Sequence, residues 1–408
     1  MVSFKSQKIG LKMSSVHRSG KALYPLASDN WDSKEFEAIQ QVLDSNHFTM
    51  GEQVRIFEEN VAKKFGSKFA IMVNSGSSAN LVMLTILKIL SNQKIKKPNI
   101  IVPAVSWSTT YTPAYYLDLE LKFCDVDINH FGLNLDSVSK AIDKDTIAIL
   151  AVNLLGSAAD LDNLRNLAKD KNIILLEDNC ESLGATLNGE YTGTFGLMAS
   201  HSSFFSHHIN SMEGGWITTD SIQVLDIATS LRAHGWTRLL SNDSEWRKKE
   251  LSVDWFDAQF EFVLPGLNFR PLEIEAAIAN VQLTKVDSML EIRRKNAQYF
   301  KSVISQVQNV QTQSPNGDSS WFAFPLIFES LEKRNLVANK FKEFGIECRP
   351  IVTGNFTRQS VLKFLKYRIT EDLHNANIIH DNGLYIGNHP HDLSGELDKV
   401  LQILKKTV

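Results

Sequence analysis

The sequence predicts an α/β protein: a large domain built on a mainly parallel sheet, followed by a smaller α+β domain. Three observations lead there. Short apolar runs suited to strands buried on both faces recur at Phe69–Val73, Ile100–Pro103, Leu121–Cys124, Ile147–Val152 and Ile173–Leu176. Stretches of helical character and crossover length lie between them. Around Pro265 to Pro271 this alternation breaks, and a long amphipathic stretch runs from Glu273 to about Val307.

The elements follow in order. Asp32 is the expected N-cap of a helix through Phe36, Ile39 and Val42. Leu81–Leu90 is apolar enough for a buried helix, and Leu161–Lys169 reads as a crossover helix. Ser202–His208 leads through a polar turn to Met212–Thr219, a strand–turn–strand pattern. Trp321–Phe328 and Ile346–Cys348 are the strand candidates of the smaller unit. The expected division is residues 1–270 for an N-terminal arm and the large domain, and 271–408 for a linking helix and the small C-terminal domain.

Composition narrows the function. The chain has 408 residues, 43% hydrophobic and 22% charged, with a net charge of -3. That is ordinary globular composition, and the charge offers no attraction to nucleic acid or an anionic membrane. The first twenty residues carry charges with no apolar stretch behind them, so no secretion signal is expected. The apolar segment Ile147–Leu155 is too short to span a membrane. The cysteines, Cys124, Cys180 and Cys348, are odd in number and widely spaced, as in a cytoplasmic protein with reduced thiols. They form no CxxC pair, and no metal site is expected.

Ligands of open parallel sheets bind at the carboxyl ends of the strands, so the residues after each apolar run matter most. Asn74-Ser75-Gly76-Ser77-Ser78-Ala79 joins small residues to a helix start. It reads equally as a phosphate cup or as a serine-rich cap. The Walker ending GK[ST] is missing. Trp107 is placed either to stack on a flat ring or simply to pack. Glu177-Asp178-Asn179-Cys180-Glu181 suits metal binding, acid–base work or helix capping. Beside a phosphate cup, an aspartate there also suits the ring nitrogen of a pyridine, which it would hold protonated. The adjacent His207 and His208 point apart in most backbones and lack a matching carboxylate, which argues against a metal pair.

Taken in this order, these blocks resemble the sugar aminotransferase family of fold-type-I pyridoxal-phosphate (PLP) enzymes, the group that includes the DegT-like proteins. The resemblance runs from about Pro25 to Ile403. It implies that the loop with Gly76 and Ser77 holds the cofactor phosphate together with Ser202. It further implies that Trp107 stacks on the ring, that Asp178 faces the ring nitrogen and that Glu181 sits near the ring face. Asn268 and Arg270 lie in a segment that, by the same resemblance, reaches a partner subunit's phosphate, making a homodimer with shared active sites. Arg238 is the expected site for a glutamate carboxylate, because arginine matches it bidentately. Arg232 is an equal rival on chemistry alone. Arg349 and His389 are the expected lining of the sugar site.

The family's catalytic lysine is missing. Its position, seven residues before Gly214, holds His207, and no lysine occurs between Lys171 and Lys248. Imidazole cannot form the covalent link that an amine forms with PLP. Within the family, histidine here marks a small branch of 3-dehydratases. The runs NSGSSAN, SHHI, MEGG, HGWTR, LPGLNFRP, ECRPIV, GNF and IGNHPHDL resemble that branch. The resemblance implies removal of the C3 hydroxyl from a nucleotide-linked 4-keto-6-deoxy hexose, with a GDP-linked mannose derivative as the substrate. It implies PLP and pyridoxamine phosphate (PMP) held non-covalently, glutamate as amino donor, and a place in the dideoxysugar biosynthesis of O-antigen lipopolysaccharide. Imidazole titrates near neutrality, which suits His207 to take and return protons. The iron–sulfur subtype of the branch is excluded, since three cysteines cannot supply four cluster ligands. Two other readings stay open: an aminotransferase using a lysine from elsewhere in the fold, and a catalytically silent PLP-fold binding protein.

Overall fold

The computed structural model describes residues 22–28, 30–91, 95–241, 243–250, 254 and 256–408. Most of the N-terminal arm, and the leader reading made on it, lie outside the described residues. Asp32 caps the helix Ser33–Ser45 with a full capping box, accepting from Lys34 N while Glu35 accepts from Asp32 N.

The five apolar runs become β1 (Phe69–Val73), β2 (Asn99–Pro103), β3 (Glu120–Cys124), β4 (Thr146–Val152) and β5 (Ile174–Asp178). A small hairpin, β6 (Thr186–Leu187) and β7 (Glu190–Tyr191), precedes β8 (Met198–Ser202) and β9 (Gly215–Thr219). These join a sheet in the order β1-β9-β8-β5-β4-β2-β3, with β13 (Tyr367–Ile369) at the far edge. All neighbours from β8 to β13 run parallel. β9 is antiparallel to both β1 and β8. The reason is the connection. The loop 203–214 between β8 and β9 holds no crossover helix, so the chain can only turn back on itself.

Helices cover both faces. On one lies Gly76–Leu90, whose Ala79, Val82, Met83, Ile86 and Leu87 are fully buried against the sheet. On the other, Glu52–Lys64 and the start of the helix Glu273–Ile304 pack over Ala70, Met72 and Trp216. That last helix has 32 residues, about 48 Å at 1.5 Å per residue. Its far end enters a second core through Ala297, Phe300 and Val303. There it meets an antiparallel sheet of β10 (Val310–Gln311), β11 (Ala323–Phe328), β14 (Gly383–Gly387) and β12 (Cys348–Arg349). One stretch crosses the expected division. Phe356, Leu362 and Leu365 join the core of the large sheet, and β13 extends its edge.

Candidate active site

The carboxyl ends of β1, β2, β4, β5 and β8 converge on a cavity of about 490 Å³. Gly76, Ser77, Trp107, Asp178, Glu181, Ser202, His207 and Arg349 all line it, so eight residues singled out in the sequence meet in one place. No lysine is among the described residues that line it. No group of described His, Cys, Asp or Glu side chains is arranged to hold a metal, and no described helix is long and apolar enough to cross a membrane. The three cysteines are free thiols.

The cup is the helix N-terminus itself. Gly76–Leu90 starts five residues before the apolar run at Leu81, because Ser75 caps it by accepting from Ser78 N at 3.1 Å. Ser77 Oγ donates to Thr109 Oγ at 3.0 Å. Gly76 is required by crowding: a Cβ there would lie 2.7 Å from Ser202 Cβ. Amides at a helix start and three hydroxyls make an anion site with partial positive charge.

β5 sorts its carboxylates by the alternation of a strand. Glu177 faces away and is consumed by structure: it accepts from Gly193 N, Phe195 N, Gly196 N and Asn153 Nδ2 at 2.7–3.0 Å. Asp178 faces the cavity. Its Oδ2 accepts from Asn80 Nδ2 at 2.9 Å and Thr110 Oγ at 2.8 Å, and its Oδ1 from Cys180 N at 3.2 Å. Ser200 Oγ in turn donates to Asn80 Oδ1 at 2.6 Å. Glu181 accepts from Leu155 N at 3.1 Å, and burial pushes its carboxyl up to about 7. Burial and the charge of Asp178 also hold the Cys180 thiol well above its ordinary value.

His207 sits on the loop 203–214, which is closed by bonds from Ser203 N to Gly214 O, Phe205 N to Met212 O and Ser211 N to Ser203 O at 2.9–3.0 Å. Gly214 has φ +141°, and a Cβ on it would meet Ser203 Oγ at 2.5 Å. The imidazole packs edge-on to Phe322 at 5.1 Å, and its Nδ1 is buried without a hydrogen-bond partner. Burial and the positive charge of Arg293 pull its pKa down to about 4 rather than leaving it near neutrality. It is therefore uncharged at pH 7, the form that accepts a proton. His208 does not line the cavity. It is buried behind, its Nε2 3.1 Å from Ser320 O.

The remaining arginines and histidine separate. Arg349 is on the cavity rim, with Nη1 donating to Cys348 O. Arg232 is buried and bound to Glu58 and to Met72 O, which removes it as a free carboxylate receptor. Arg238 and Asn268 are exposed and stand outside the lining of this chain's cavity. Asn268 Oδ1 accepts from Arg270 Nε at 3.2 Å. His389 is likewise not in the lining. It is buried, its Nε2 2.9 Å from Pro25 O and its ring stacked on His391. It anchors the start of the described chain, and as a sugar ligand it is misplaced here.

Sequence reasoning missed Asn80, Thr110 and Tyr385. Asn80 had a signal, being one turn beyond Gly76 on the same helix. Thr110 and Tyr385 had none: Thr110 reaches Asp178 on a distant strand, and Tyr385 lines the cavity from the strand Gly383–Gly387 of the small sheet. The donor set fits a phosphorylated pyridine: hydroxyls and amides for the phosphate, Asp178 for the ring nitrogen, Trp107 for the ring face.

Comparison with known proteins agrees. The model of the DegT/DnrJ/EryC1/StrS aminotransferase family matches residues 29–405. The GDP-4-keto-6-deoxy-D-mannose 3-dehydratase of Yersinia pseudotuberculosis is 48% identical over 387 residues, covering 94% of this chain and 98% of that one. The solved structure of the Escherichia coli GDP-4-keto-6-deoxy-D-mannose-3-dehydratase with bound hydrated PLP is 45% identical, with a TM-score of 0.90 over 94% of this chain and all of that one. A GDP-4-keto-6-deoxymannose-3-dehydratase with a trapped PLP–glutamate geminal diamine is 46% identical, with a TM-score of 0.89 over 93% of this chain and all of that one. The fold is that of the PLP-dependent aminotransferases, and the chain belongs to the DegT/DnrJ/EryC1/StrS aminotransferase family.

Proposed function

We propose that this chain removes the C3 hydroxyl of GDP-4-keto-6-deoxy-D-mannose, using non-covalently held PLP and PMP with glutamate as amino donor. The observation that carries the reading is a neutral imidazole, His207, in a family cavity where no described lining residue is a lysine. When bound, PMP would supply an amine for the C4 ketone and a protonated ring that holds the electron pair released at C4′, the pair needed to expel the C3 hydroxyl.

The chain's own residues do the rest. Asp178, fixed by Asn80, Thr110 and the Cys180 amide, holds a proton on the ring nitrogen. Gly76, Ser77 and Ser202 receive the phosphate, and Trp107 covers the ring. His207, in its neutral form, would take the proton that the cofactor's C4′ carbon gives up. With its pKa so low, the charged imidazole gives that proton back readily, here to the departing hydroxyl. Val152, Leu154, Phe322 and Val352 line the cavity with apolar surface that keeps out bulk water. The overall balance is closed: the sugar loses OH and gains H, while glutamate leaves as 2-oxoglutarate and ammonia.

Residues through about 270 serve the cofactor, and the rest contributes the linking helix and the wall with Phe322 and Arg349. The segment of Asn268 and Arg270 reaches the phosphate of a partner's site in a homodimer, and Arg238, exposed on this chain, receives the glutamate carboxylate. Exposed Leu267 and Leu272 beside them support a covered face. The setting is the cytoplasmic synthesis of a dideoxysugar for lipopolysaccharide.

The test is incubation with PLP, glutamate and a panel of nucleotide-linked 4-keto-6-deoxy sugars, with products read by mass. A 4-keto-3,6-dideoxy product with ammonia is expected, with preference for the GDP-linked mannose derivative. An amino sugar as the main product, or a pyridoxyl group fixed on a lysine by borohydride, would overturn the reading.

A further inference from the structure

Arg293 lies about two-thirds of the way along the helix Glu273–Ile304 and is 4% exposed. Its Nη1 donates to Asn388 O at 2.5 Å and to Phe322 O at 3.4 Å, and its Nε is buried with no partner. Among the described residues no carboxylate forms an ion pair with it. Burial lowers its pKa to about 10, which leaves it charged at pH 7. A buried charge without a counter-ion is costly, so its position calls for a cause beyond packing.

The guanidinium stands behind the wall of the active cavity. Phe322, whose carbonyl it bonds, packs against both His207 and His208, at ring-centroid distances of 5.1 and 5.6 Å. The strip leading to Phe322 is gripped at each step. Arg294 Nε donates to Ser319 O at 3.2 Å, His208 Nε2 lies 3.1 Å from Ser320 O, and Asn388 Nδ2 donates to Trp321 O at 2.8 Å. Trp321 is held at φ +47°, a conformation a bulky residue keeps only when its surroundings enforce it.

We propose that Arg293 is a positioning residue for His207: it pins the Phe322 strip against the imidazole and sets a positive charge on the buried side of it. The inference deepens the reading above, in which His207 moves the proton. Charged and titratable groups meet this region from every side. Glu213 shares the loop of His207, Asp178, Cys180 and Glu181 end β5, and Arg349 and Tyr385 come from the small sheet. His208 and Arg294 lie behind. Of these groups it is Arg293 whose charge opposes the charged imidazole, from the buried side.

The test is the titration of His207 by NMR on the full chain with labelled histidine rings, with and without PLP. The signal is assigned by its loss in His207→Asn. Arg293→Met removes the charge and the donors, and the His207 pKa should rise by about one unit, a tenfold change in the ratio of its two forms. The acid limb of kcat/KM should move up in pH with it. Arg293→Lys keeps a charge and should stay near the wild-type value. If Arg293→Met does not fold, Arg293→Gln keeps an amide donor without charge and should give the same rise. An unmoved His207 titration in whichever neutral variant folds overturns the inference. A rise without any dehydratase activity supports it and instead defeats the functional reading, so the two failures are distinguishable.

Discussion

The floor of the active cavity and the segment after β9 are built differently. On the floor, at the ends of β1, β5 and β8, the functional groups are tied within the chain: Asp178 has three donors, Ser77 bonds Thr109, and Gly76 is wedged against Ser202. The segment after β9 that carries Arg238 and Asn268 leaves Leu239, Phe260, Phe262, Leu267 and Leu272 exposed. A rigid sheet can preorganise the groups that do chemistry. The segment after β9, by contrast, presents Arg238 and Asn268 on an uncovered surface, where the proposed recognition roles would need a partner copy. Variants on the floor should therefore act on turnover, and variants on the open segment on binding.

The largest effect should come from His207. Removing a general acid–base group costs about 10²–10⁴-fold, so His207→Asn should retain PMP binding and lose elimination by that order. His207→Lys restores an amine where the family's spacing has one, and should shift products from ammonia towards an amino sugar. His208→Asn should cost far less turnover, since His208 holds Ser320 behind the wall. Turnover with ammonia and amino sugar counted separately reads all three. An inactive His208→Asn beside an active His207→Asn would invert the assignment.

Next is Asp178→Asn. Asn80 and Thr110 remain to hold the side chain, so the fold and much of the cofactor binding should survive. A hydrogen bond to a charged group contributes about 1.5–3 kcal/mol, equivalent to about 10- to 150-fold in rate. Turnover within a factor of two of wild type would take Asp178 out of the mechanism.

The same contrast explains what the sequence made legible. Strand ends leave local signals, so β1 to β5 were readable from pattern alone, whereas the cup and Asp178 each kept a competing reading until the family resemblance was added. The alternation of β5 even separates Glu177 from Asp178, although neither side is labelled cavity in the sequence. The helix start at Gly76 was legible only from the small residues of Asn74–Ala79, because its first turn is polar and the apolar face begins at Leu81. β13 was hidden because Tyr367, Arg368 and Ile369 are all exposed and too few to show a pattern. Arginines and histidines were the weakest reading. Arg232, Arg238, Arg349 and His389 have similar chemistry in the sequence, and only burial and partners separate an anchor from a ligand. Thr110 pairs with a residue 68 positions away, a contact that local periodicity does not encode.

A smaller effect concerns acid stability. Burial lowers the pKa of His201 to about 3 and of His389 to about 4, as it does for His207 with Arg293. The unfolded histidine value is about 6.5. Between that value and the folded one, the unfolded chain binds protons that the folded chain refuses, so stability falls as pH drops through this window. Glu181 and Glu275, both raised to about 7 by burial, act in the opposite sense: their contribution is present at low pH and lost as pH rises through 7. The net optimum should lie near pH 6–7. In His389→Gln the melting temperature should fall less steeply from pH 6.5 to 4 than in the unchanged chain. An identical slope would show that His389 does not stay neutral when folded.

The smallest effects on stability belong to the open segment. Arg238 is exposed, and exposed substitutions away from caps and ion pairs change stability by about 0.5 kcal/mol or less. Arg238→Ala should therefore melt with the unchanged chain. Its effect, if it receives the glutamate carboxylate, should fall on the first half of the reaction, raising the KM for glutamate and leaving the KM for the nucleotide sugar alone. Asn268→Ala should behave differently, because the partner-phosphate role ties it to assembly. PLP affinity should drop in it as a function of protein concentration, being weakest in dilute solution where two copies part. Half-reaction kinetics with glutamate and PLP titrations at two protein concentrations separate the two residues. A PLP affinity in Asn268→Ala equal to that of the unchanged chain at both concentrations would return Asn268 to the surface, and with it the shared-site reading of this segment.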